Sequence, residues 1–132
     1  MTLSDLRDYF KSDFPWKESI SVGKIDKNKE RAVCFYHSKV SRPKINTIGG
    51  KGNRSYTVLP ISILLRFGKN YEAAAEKAKE IYDFFDEKTF DLNNERVFVI
   101  SPYNAPIDLG TDDQGVYENS LEFDLYITKK GD

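Results

Sequence analysis

Apolar positions along the chain recur with two periods, and the switches between them mark the elements. Leu3, Leu6, Phe10 and Phe14 step by three and four residues, which puts them on one face of a helix over 3–14. Thr2 followed by Asp5 has the form of a capping box, in which hydroxyl and carboxylate each take an amide of the first turn. Pro15 stops this helix. Trp16 comes next with a large ring and one indole donor, and is expected to be at least partly buried. Two β-prone runs are then found, Ile20–Ile25 and Arg31–His37. The polar turn Asp26-Lys27-Asn28-Lys29-Glu30 between them predicts a hairpin.

The longest alternation runs from Thr57 to Phe67. Leu59, Ile61, Ile63, Leu65 and Phe67 share one face, against Val58, Ser62, Leu64 and Arg66 on the other. Pro60 lies within this strand and cannot donate to a ladder, so it marks an edge, a bulge or the true start of pairing. Asn70 caps a second helix, Tyr71 to Glu87, whose apolar stripe is Ala74, Ala75, Ala78, Ile81, Tyr82 and Phe85. Its alanines favour close approach to a sheet. Val97–Ile100 reads as a short strand, and Pro102 and Pro106 interrupt the segment after it. The last strand spans about Tyr117 to Thr128, with Leu121, Phe123, Leu125 and Ile127 inward and Glu122, Asp124 and Tyr126 outward. Lys129 to Asp132 forms a polar tail. The expected class is α+β: a mixed, mainly antiparallel sheet with two helices packed against it in a two-layer sandwich. The pattern leaves strand order open.

Composition narrows the function. A chain of 132 residues is expected to form one domain, 1–132, with a core that requires neither disulfides nor metal. The aromatic content of 14% suits a core or an interface equally. A net charge of -1 argues against a dedicated nucleic-acid binder, which carries a basic excess. Cys34, the only cysteine, rules out an intrachain disulfide and reads as a small buried hydrophobe. No apolar run has membrane-spanning length and residues 1–15 lack the form of a signal peptide, so the chain is expected to fold where it is made, with no membrane partner.

Two oddly charged segments stand out. Residues 108–118 carry Asp108, Asp112, Asp113 and Glu118 with Gly110 and Gly115. Hard cations take carboxylate oxygens, but an EF-hand places acids at alternate positions before a bidentate Glu, and this order differs. Asp-Gly-rich segments ahead of a strand are more often solvated turns. Residues 38–55, expected to be a long flexible loop, bear Lys39, Arg42, Lys44, Lys51 and Arg54 and no acid. Its Gly49-Gly50-Lys51-Gly52 lacks Walker A spacing and the helix that would hold a phosphate. The cations could touch phosphates, stay solvated, or meet the acidic segment of a second copy; the last reading makes Lys39, Arg42, Lys44, Lys51, Arg54, Asp112, Asp113 and Glu118 oligomer-interface residues. Cys34 and His37, three apart in one strand, point to opposite faces and form no catalytic pair.

Four segments together resemble the small minor capsid or tail-terminator (head–tail joining) proteins of long-tailed bacteriophages infecting Gram-positive hosts. They are Tyr9-Phe10 to Phe14-Pro15-Trp16; Ser55-Tyr56-Thr57-Val58-Leu59-Pro60-Ile61-Ser62-Ile63-Leu64; the alanine-rich helix after Asn70-Tyr71-Glu72; and Asp108 to Glu118. The resemblance implies a structural virion protein and no catalyst, cofactor, metal or small-molecule substrate. It implies a ring of copies of the chain, expected to be hexameric, that caps the tail tube, touches the tube protein and docks to the head connector or neck protein. It further implies that DNA passes through the channel and that assembly takes place in the bacterial host cytoplasm. Ring closure needs a heterologous contact between two different patches. The alternatives are a head-completion or neck protein of the same virion and, from another class, a metal-dependent hydrolase using Asp108, Asp112 and Glu118.

Overall fold

The computed structural model describes residues 1–38 and 56–129. In chain order the elements are α1 (Leu3–Asp13), β1 (Ser19–Val22), β2 (Arg31–His37), β3 (Thr57–Phe67), α2 (Tyr71–Phe85), β4 (Thr89–Leu92), β5 (Glu95–Ile100), β6 (Ile107–Thr111) and β7 (Tyr117–Lys129). The fold is α+β. Its seven strands make one mixed, mostly antiparallel sheet ordered β1-β2-β3-β7-β5-β4, with β6 also paired to β7. Among the described residues no helix is long and apolar enough to cross a membrane.

The period-two pattern builds the core. Val33 and Phe35 of β2, Ile61, Ile63 and Leu65 of β3, and Leu121, Phe123 and Leu125 of β7 are buried together. Leu6 and Phe10 of α1 and Ala78, Ile81 and Phe85 of α2 join the same cluster. Phe10 contacts Phe35 and Phe85 at 5.6 and 5.7 Å between ring centres, and Phe85 contacts Phe123 at 5.5 Å. Each such ring taken from water contributes about 1.5–3 kcal/mol. The Thr2–Asp5 capping box forms, and Asn70 caps α2 by accepting from the Ala73 N–H at 3.0 Å. Trp16 is buried, its indole N–H donating to the Ser19 carbonyl at 3.0 Å. Pro60 is tolerated inside β3 because its carbonyl, and hence its missing N–H, faces β2 just past the last ladder pair, His37–Ile61.

Several expectations are corrected. β1 and β2 pair in parallel, Ser19 beside Ala32 and Val22 beside Phe35, so they form no hairpin. Gly23, at φ 82, ends β1, and the connection then crosses the sheet's second face, where Ile25 packs on Ala32 and Cys34. That burial outweighs local turn chemistry and takes Ile25 out of the strand. Ala75 is exposed rather than part of the buried stripe. α2 ends at Phe85 because its C-cap Asp86 turns to extended backbone, and Glu87 after it adopts φ 61. β4 went unforeseen. It makes a hairpin with β5 through Asn93 and Asn94, at φ 52 and 62, the mirror-turn geometry that asparagine tolerates. Asp108–Thr111, expected as part of a turn, lies within β6, and only 112–116 turn between strands.

Candidate functional site

The second face of the sheet, away from the shared core, carries the polar chemistry. Alternation in β3 and β7 sends Ser62, Leu64 and Arg66 to this face beside their partners Glu122, Ser120 and Glu118. Arg66 is wholly buried. Its Nη1 donates to Asp112 Oδ2 at 2.6 Å and to Glu118 Oε2 at 3.0 Å. Its Nε and Nη2 donate to the carbonyls of Lys29 and Lys27 at 3.2 and 3.4 Å. A buried guanidinium is costly unless paired and hydrogen-bonded, and here the β6–β7 turn and the 23–30 connection supply the partners. Burial acts to lower the Arg66 pKa, but the bonds to Asp112 and Glu118 outweigh it and the pKa rises.

Asp112 organises its turn from the other side. Its Oδ1 accepts from the N–H of Gln114 at 2.9 Å and of Val116 at 3.0 Å, an Asx turn. The Arg66 bond, with these amides, holds its carboxyl at about 2. Asp108 behaves differently. It accepts from the Gly110 N–H at 2.8 Å and, paired with Asn119, belongs to the helix side of the sheet. Asp108, Asp112 and Glu118 therefore do not converge: two grip a guanidinium and the third bonds its own loop.

A second buried group sits two rungs along the same face. Glu122 is buried on β7; its Oε1 accepts from Ser38 Oγ at 2.8 Å, and its Oε2 accepts from Ser62 and from Ser120, the latter at 2.9 Å. Ser38 is the residue from which the basic segment departs, so Glu122 anchors its root to the centre of the sheet. Glu122 and Asp124 were expected outward; they are on the outer face as the alternation requires, yet both are buried. Cys34 and His37 do lie on opposite faces, Cys34 buried against Ile25 and His37 exposed.

Exposed apolar side chains mark a third feature. Five of the six large ones among the described residues, Phe98, Ile100, Tyr103, Ile107 and Leu109, fall within one short segment along β5 and β6. The sixth, Tyr71, rests edge-on to Tyr117 at 5.3 Å. Beside it a notch of about 170 Å³ is lined by Tyr71, Ala74, Ala78 and Tyr117 together with the polar Asp108 and Asn119. Large exposed apolar side chains concentrated in one segment are a feature that interaction surfaces share.

Of the residues singled out in the sequence, Lys39, Arg42, Lys44, Lys51 and Arg54 lie outside the described residues. Asp112 and Glu118 are brought together on Arg66, while Asp113 is exposed at the turn. Arg66, Glu122 and the apolar flank were missed as functional features. A legible signal existed for one: Arg66 is the only charge in the most apolar strand of the chain.

Compared with known families, the chain matches the one described as "Bacteriophage tail terminator protein" over residues 11–129. The chain belongs to the bacteriophage tail terminator family. No curated protein and no solved structure matches it. In this tail terminator the matched span covers every strand, all of α2 and the Arg66 and Glu122 clusters. Family membership makes the protein a virion component, in line with the resemblance read from its four segments.

Proposed function

We propose that the protein acts as a structural subunit: copies join in a ring, expected to be hexameric, that caps the tail tube and presents a surface to the head connector. The family match over 11–129 carries this reading. Two of the buried polar groups support it, because they are spent on holding loops: Arg66 on the 112–116 turn, Glu122 on the root of the basic segment. A catalyst would need such groups open to a substrate. The partners in this account are further copies of the chain, the tube protein and the connector, with DNA only passing through and assembly in the host cytoplasm.

Within the ring, the cations Lys39, Arg42, Lys44, Lys51 and Arg54 are set against the acidic turn of a neighbour. The geometry refines this pairing. Asp112 and Glu118 are held by their own Arg66, so Asp113 is the outward carboxylate of the turn. Immunogold labelling of purified particles tests the assignment. Label is expected where the tail meets the head; label on the capsid shell or the distal tail tip would contradict it.

A further inference from the structure

We infer that the subunits join margin to margin through strands β6 and β1, so that the sheet of one copy continues into the next. This rests on the ring reading above and names its contact. The register supplies the geometry. Ser19, Ala32, Arg66, Glu118 and Gly110 lie in one row across the sheet. Ser21, Cys34, Leu64, Ser120 and Ile107 lie in another. Hence β1 and β6 stand at the same level on opposite margins. Each has a strand on one side only among the described residues. Counting the pairings across, β6 runs antiparallel to β1. Rotation about a ring axis along the strands therefore brings β6 of one copy beside β1 of the next in antiparallel sense, a head-to-tail contact that closes.

The chemistry of the two margins is complementary. The β6 margin is apolar and acidic: Ile107 and Leu109 are exposed, Leu109 at 51%, alongside Asp108 and Asp113. The β1 margin bears a groove of about 730 Å³ whose charged lining is Lys17, Lys29, Arg31 and Lys69 against Glu18 and Glu30, a net positive surface. An exposed edge strand with apolar side chains is a template for pairing, and natural sheets protect such edges when they stay monomeric. The occupant that fits is a second copy of this chain, which carries the opposite margin at the matching height.

The test uses the full chain supplied to a phage lacking the gene. Four double variants pair Ser19→Cys or Ser21→Cys with Ile107→Cys or Leu109→Cys; the natural Cys34 is buried. Facing residues on neighbouring strands are within disulfide reach. Mild oxidation of assembled particles is expected to give a ladder of linked subunits for at least one pair and none for the single variants. Leu109→Arg, at an exposed site, is expected to lower the amount of protein in particles at least tenfold without changing the melting temperature of the free protein. Particles carrying all four pairs at wild-type amounts with no cross-link, or full incorporation of Leu109→Arg, would overturn the contact. The ring reading fails separately, if particles lacking the protein have tails of normal length.

Discussion

Arg66 ties three parts of the fold together, the 112–116 turn, β7 and the 23–30 connection. It holds two carboxylates and two backbone carbonyls while wholly buried. Replacing it with methionine keeps the volume but leaves those groups facing an apolar chain. A loss of about 3 kcal/mol is expected in urea unfolding, at the low end for a broken buried pair because the carboxylates are partly exposed. Lysine should rescue little, since a single ammonium cannot reproduce the fork. Asp112 makes a pH prediction. Its carboxyl, ordinarily near 3.8, lies near 2 in the fold because of Arg66 and the turn amides. A lowered pKa stabilises above the unfolded value, so this contribution is present above about pH 4 and is lost as pH falls toward 2. Melting temperature across that window should fall less steeply for Asp112→Asn than for the wild type.

At the scale of elements, local chemistry that acts within a few residues was legible in the sequence. The Thr2–Asp5 capping box, the Asn70 cap, the 57–67 strand and the inward rows of β3 and β7 all arise from side-chain period and termini. Asn70→Ala should cost about 1 kcal/mol, measured as a shift in the urea midpoint. What local pattern could not supply was partner choice. The 26–30 segment has turn chemistry, yet Ile25 gains more by covering Ala32 and Cys34, and β1 pairs in parallel. The β4–β5 hairpin was readable from Asn93-Asn94 but was overshadowed by its short, charged strands. Asn94→Val, a branched residue forced to positive φ, should cost about 1–2 kcal/mol in the same urea measurement. The buried states of Glu122 and Asp124 were hidden for a further reason: alternation predicts a face, and only tertiary structure decides what covers it.

For the whole molecule, charge balance and apolar exposure tell one story. The buried Arg66 is paired within the chain, and the large exposed apolar groups gather along β5 and β6, with Tyr71 close by. In the proposed ring, these exposed groups are the ones left for contact with other copies. The acidic segment thus divides by role: Asp112 and Glu118 build the subunit, while Asp108 and Asp113 border the surface it offers. The match over residues 11–129 makes the chain a member of the tail terminator family.

The most direct test is the distribution of tail lengths, by electron microscopy, in particles made without this protein and in particles complemented with it. Termination predicts overlong, variable tubes in its absence and a single restored length on complementation. Tails of normal length beside heads they fail to join would contradict termination and move the protein to the neck.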